Sequence, residues 1–279
     1  MDKIGLQELI RIGVSSIRSR LTEYQNDESE FVDEDPKVNL LLDRLTQLGT
    51  ILIEHEVTDI WEGLVDGLVD VYRTLLPKQS FYEHVPVPTA RVLIMVVQRI
   101  FILGAYAIRR QRYQLLPTLI LQQPDQEDDY YYWLTHAGVM AARAELSQAF
   151  RGRSMIGPTS DAVRAKPEFF ALFEENMDNV VNSMCQFDLF QCVLITQATG
   201  DLDQSYPNFG GYWNERTLPL VRDLVTDSPA RKALGSISDQ ELAELLKQLD
   251  RYAGREFFRV NGWRPRNWIY PEITAFLER

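Results

Sequence analysis

The sequence predicts an all-α protein, a soluble multi-helix array joined by irregular Gly/Pro loops and ending in an irregular C-terminal segment. Three observations lead there. Apolar residues recur at steps of three and four along nearly the whole chain. No stretch sustains the two-residue alternation of a half-buried strand. Ser238 and Glu241 form a capping box ahead of Leu242, Leu245, Leu246 and Leu249, a strong local helix start.

The elements follow in chain order. Leu6, Ile10, Val14, Ile17 and Leu21 line a first helix, with Arg11, Arg18 and Arg20 on its other faces. Residues 26–36 carry six acidic side chains and no basic one, and read as a solvated loop. Val38, Leu41, Leu45, Leu48 and Leu52 repeat the helical pattern over about two heptads, too few to argue a coiled coil. A third helix over 57–76 is apolar at Ile60, Trp61, Leu64, Leu68, Tyr72 and Leu75, and Pro77 ends it. Pro86 and Pro88 then force an extended connection.

Residues 92–108 are the longest apolar run, broken only by Gln98 and Arg99. Crossing a bilayer takes about 20 apolar residues, and a mid-span charge costs roughly 2.5–3.5 kcal/mol on insertion. The run therefore reads as the central helix of a soluble core, over about 89–114, apolar all round because neighbours surround it. Pro124 with Asp125, Glu127, Asp128 and Asp129 suits the start of another helix. Ala137, Gly138, Ala141, Ala142 and Ala144 would let a neighbour approach that helix closely.

Gly152, Gly157, Pro158 and Pro167 mark the clearest break. It divides an N-terminal region, 1–151, from a C-terminal one, 168–279, with 152–167 as linker; a single shared core is equally compatible. A long helix over about 167–198 carries Phe169, Phe173, Met177, Val180, Met184 and Phe187 as one stripe. A Gly/Asp/Pro loop follows, then a shorter helix around 213–225 that Pro219 either starts late or kinks. Asn261-Gly262 suits a hairpin turn, but Pro265 spoils the second strand, and Gly262 serves equally as a helix stop. Residues 257–271 read as irregular.

The formal net charge of −11 at pH 7 repels nucleic acid and anionic membranes. Cys185 and Cys192 lie two turns apart on one helix, roughly 10.5 Å between Cα atoms, too far for a disulfide. The first residues lack the pattern of a signal peptide, so a reducing cytoplasm is expected. His55, His84 and His136 show no metal-ligand spacing, and phosphate-loop, dinucleotide and nucleophile-elbow motifs are missing. No catalytic residue, metal or cofactor is assigned, and no stretch carries a family signature.

Two segments stand out. Asp201, Asp203, Asn208, Asn214, Glu215 and Arg216 could surround a cation or small ligand in the loop 199–216, where Gly210 and Gly211 admit close backbone approach. Loops also use these residues for turns, and Tyr206, Phe209, Tyr212 and Trp213 read as packing on the core. In the C-terminal segment, Arg259, Trp263, Arg264, Arg266, Trp268 and Tyr270 are residue types that dominate interface energetics. Asp188, an acid in an apolar stretch, is expected to be buried against an arginine of a neighbouring helix, with both cysteines acting as small apolar groups. Arg109, Arg110, Arg112, Arg143, Arg151 and Arg153 suit helix C-termini.

The leading expectation is a non-enzymatic protein-interaction module: an adaptor, regulator or subunit of a larger assembly. Its partner is another protein, bound mainly through the Arg/aromatic segment, with homo-oligomerisation left open. One alternative is an enzyme, or a small-ligand or cation sensor, using loop 199–216. The other is a membrane-active effector that releases helix 92–108.

Overall fold

The computed structural model describes residues 3–26, 36–75, 87–122, 156–205 and 213–261. Within them every regular element is helical. They are α1 (Lys3–Asn26), α2 (Pro36–His55), α3 (Thr58–Leu75), α4 (Val87–Arg109), α5 (Leu116–Ile120), α6 (Ile156–Arg164), α7 (Pro167–Phe170), α8 (Met177–Thr199), α9 (Leu218–Leu224), α10 (Pro229–Ala233) and α11 (Asp239–Asn261), with short 3-10 turns between some of them.

Most residues of the predicted apolar stripes are buried, with Leu41 and Met177 partly so. Leu6, Ile10, Val14, Ile17 and Leu21 of α1 all face inward, as do Trp61, Leu64, Leu68 and Tyr72 of α3. Helix α1 packs on α2 and α3, and α4 packs on α2, α3, α5, α6 and α8. That ring of neighbours explains why α4 is apolar on nearly every face. No helix among the described residues is long and apolar enough to cross a membrane.

Glycines set the closest approaches. A Cβ on Gly104 of α4 would lie 2.3 Å from the Phe187 ring of α8, and one on Gly49 of α2 would lie 2.6 Å from Leu103 of α4. Phe187 also meets Phe101 edge-on, ring centroids 5.2 Å apart. One hydrophobic cluster thus runs from α1 to α11.

Arg99, the charge inside the apolar run, is almost wholly buried. Its Nε and Nη2 donate to Asp43 Oδ1 at 3.1 and 2.9 Å, Nη1 donates to Gln98 at 3.3 Å, and Nη2 also reaches Asn39. Lys166, between α6 and α7, donates to the other Asp43 oxygen and to Asn39 at 3.3 Å. One carboxylate therefore ties α4 and the α6–α7 joint to α2, giving each buried charge an opposite partner.

Several expectations are corrected. The central helix stops at Arg109 rather than about 114, because Gln111 adopts φ 56° and a 3-10 turn follows. Arg109, Arg110 and Arg112 do more than complement a helix end: they form ion pairs with Glu174, Glu54 and Glu56. The 152–167 break contains α6, since Gly157 and Pro158 fall in its first turn, where Pro is tolerated. The single helix over 167–198 is two, because Glu174 and Glu175 take left-handed backbone (φ 57° and 52°) and Asn176 caps a fresh start. Residues 257–261 are neither strand nor irregular but the last turns of α11.

The capping box stands as read: Glu241 N–H donates to Ser238 Oγ at 3.2 Å and Ser238 N–H to Glu241 Oε2 at 2.9 Å. Pro219 starts α9 rather than kinking it. Residues 27–35, with most of the acidic run, and the small-residue stretch from Ala137 to Ala144 lie outside the described residues.

Candidate functional site

The second half of the chain is organised around α8. Gly200, at φ 70°, ends this helix in the left-handed conformation and returns its N–H to Thr196 O at 2.8 Å. Asp201 then accepts the Asp203 N–H on Oδ1 at 2.9 Å and starts the short 3-10 turn Leu202–Gln204. The Thr196 hydroxyl donates to Ser205 Oγ at 3.1 Å, and Ser205 in turn donates to Leu202 O at 2.8 Å. The loop leaves α8 along a chain of its own polar groups.

It returns through Trp213. The indole is buried, and its Nε1–H donates to Asp188 Oδ2 at 2.9 Å. Gln191 Nε2 donates to the other oxygen at 3.2 Å and lies 3.4 Å from Cys192 Sγ. Three residues on, Gln186 Nε2 donates to the Arg216 carbonyl at 3.0 Å. Asp188 is buried as expected, but the donors described at its oxygens are an indole and an amide where an arginine of a neighbouring helix was expected. The signal that could have found Trp213 was present: an aromatic N–H that needs an acceptor once buried.

Both thiols are buried, and neither is in a disulfide. Burial pushes each well above the ordinary cysteine range, and the Asp188 charge adds to the shift; Arg216 opposes it at Cys185, and a hydrogen bond with Ser205 opposes it at Cys192. A thiol held protonated is a poor nucleophile and a poor metal ligand. These side chains pack and bond internally.

Of the loop residues that could serve a cation, Asp201 and Asp203 share one turn and are exposed, Asp201 with one oxygen engaged in the turn itself. Glu215 is exposed, Arg216 half-buried, and both lie on a 3-10 turn before α9. Asn208 lies outside the described residues, and so do Tyr206, Phe209 and Tyr212. Among the described residues, no three His, Cys, Asp or Glu side chains converge as metal ligands would. Of the C-terminal contact set, Arg259 is on α11, while Trp263, Arg264, Arg266, Trp268 and Tyr270 lie outside the described residues.

A second polar group sits where α2 and α4 end. Glu54 accepts from Arg110 at 2.7 Å and from the Tyr106 hydroxyl. The Arg110 bond holds the Glu54 carboxyl below its usual range, and burial pushes Tyr106 up to about 12. This cluster locks two helix ends together.

Sequence reasoning missed one surface feature. The large hydrophobic side chains most exposed among the described residues, Ile4, Leu9, Ile12, Leu40 and Ile51, all lie on α1 and α2. Compared with protein-family models, curated proteins and solved structures, the chain matches none.

Proposed function

We propose that this protein is a non-enzymatic interaction module, an adaptor, regulator or subunit that works by binding another protein. The exposed apolar side chains on α1 and α2 carry this reading. Leu9 and Leu40 are each 51% exposed, and Ile12 and Ile51 each 48%. Apolar side chains concentrated on one part of a surface are a mark of interaction sites. The buried polar groups around Asp188 and Arg99, by contrast, hold helices and loops together. The C-terminal segment adds Arg259, Trp263, Arg264, Arg266, Trp268 and Tyr270, the residue types that carry most binding energy at interfaces.

The experiment is a pulldown with mass identification, then binding of the purified partner to two variants. In Trp268→Ala/Arg264→Ala, affinity should fall by about thirtyfold or more at unchanged melting temperature. Deletion of residues 27–35 should chiefly alter association rate and salt dependence, because exposed charges steer encounter. Normal binding by both variants, with earlier melting of the first, would make the C-terminal segment a packing element and defeat its part in the proposal.

A further inference from the structure

Four of the exposed apolar groups, Leu9, Ile12, Leu40 and Ile51, share one side of the α1–α2 pair. At about 100° per residue, Leu40, Arg44 and Ile51 fall within about 40° of arc on α2. Leu45, which faces Gly13 of α1, and Gly49, which faces Leu103 and Leu64, mark the sides of α2 already packed. The stripe lies about 100° or more from both. On α1, Leu9 lies about 40° from Gly13 and Ile12 about 100°, both turned from Val14, which meets Gly67 of α3. The two sets flank the α1–α2 seam on the side away from α3.

Charge distinguishes the occupants. The chain is strongly acidic overall, yet within the arc of Leu40 and Ile51 the charged side chain of α2 is Arg44. Arg11 pairs with Glu8, Arg18 with Asp70 and Lys3 with Asp59. Arg44 is exposed, lies between Leu40 and Ile51 along α2 and makes no ion pair among the described residues. Glu168 accepts from Gln47 of this helix at 3.5 Å. Exposed charges act over about 8 Å at physiological salt, so the charge inside the stripe weighs most on a partner laid along it.

We propose that the seam formed by Leu9, Ile12, Leu40 and Ile51 around Arg44 docks an amphipathic helix of a partner protein whose apolar stripe is flanked by carboxylates. This rests on the interaction reading above and adds the chemistry of the partner. Leu40 and Ile51 stand about 16 Å apart along α2, three turns, which a partner helix matches with apolar residues on successive turns. A carboxylate opposite Arg44 would form a charge-assisted pair and fix the register.

The test uses the full chain and two labelled helical peptides with the same leucine stripe, one flanked by glutamate and one by lysine, read by fluorescence anisotropy. The acidic peptide should bind at least about tenfold more tightly than the basic one. Arg44→Glu should reverse that order. Leu40→Ser/Ile51→Ser should weaken acidic-peptide binding by about tenfold or more at unchanged helicity and melting temperature, since both side chains are exposed. Equal binding of the two peptides, or an Arg44→Glu variant with unaltered preference, would overturn the proposal. So would sedimentation showing a dimer that Leu40→Ser/Ile51→Ser dissolves, which would make the occupant a second copy of this chain. A purified natural partner lost by Trp268→Ala/Arg264→Ala but retained by Leu40→Ser/Ile51→Ser would remove this surface and leave the interaction reading intact.

Discussion

Asp188 shows at the scale of one residue what a sequence can and cannot disclose. Its place in an apolar stretch marks it as buried and bonded, because an unpaired interior carboxylate is too costly to keep. Its donor was not legible: Trp213 comes from a loop 25 residues away, and no local spacing relates the two. Trp213→Phe removes one donor and should cost about 1–3 kcal/mol, while Asp188→Leu strands the indole N–H at similar cost. The double variant should lose less than the two losses combined. Urea denaturation of all four proteins measures that coupling, and losses that add within about 0.5 kcal/mol would show that the bond contributes nothing. Asp250 on α11 gives a pH signature. Burial, opposed by the neighbouring Arg251, pushes its carboxyl from 3.8 up to about 6. The folded state then holds the proton more tightly than the unfolded one, so this group's contribution is most favourable at low pH and declines as pH rises from about 4 through about 6. Asp250→Asn should flatten that stretch of the stability–pH curve and stabilise the protein at pH 7 by about 1 kcal/mol, after allowing for its partial exposure. An unchanged slope in denaturation curves across the window would contradict the assignment.

At the scale of elements, periodicity located most helices because burial of one stripe is what makes such helices stable in water. The misreadings came where a local signal is ambiguous. Gly157 and Pro158 look like breakers yet occupy a helical first turn, and Glu174 and Glu175 are good helix formers held in left-handed backbone by their surroundings. Glycines inside helices were the unread clue, since close packing rather than propensity explains Gly49, Gly67 and Gly104. Gly104 and Gly63 separate the two cases. Gly104→Ala would drive a methyl into the Phe187 ring and should destabilise by about 1–3 kcal/mol. Gly63 of α3 is exposed, with no atom within 4 Å of an added Cβ, so Gly63→Ala should stabilise by about 0.5–1 kcal/mol through helix propensity alone. Thermal melts of the two variants should therefore shift in opposite directions, and a shared direction would mean that the α4–α8 approach is looser than this geometry.

At the scale of the whole molecule, the sequence left open whether the two regions fold apart, because loop composition marks connections but not which faces meet across them. The contacts between the regions are apolar and deep. Phe101 and Gly104 of α4 receive Phe187, Tyr106 meets Phe173 with centroids 6.3 Å apart, and Tyr113 meets Phe190 at 5.7 Å while donating to Asp223 at 3.2 Å. The Lys166–Asp43 pair ties the 152–167 segment to α2. Interfaces between independently folding domains are usually more polar than this. If the first region were cut from the second, α4 would present Phe101 and the surface around Gly104 to water, a loss that its remaining neighbours could not offset. Calorimetry of the intact chain should accordingly show one transition, with calorimetric and van't Hoff enthalpies equal. A fragment of residues 1–122 should lose cooperative melting. Two resolved transitions, or a fragment that melts as sharply as the intact protein, would instead make the α4–α8 contact a docking interface between separate domains.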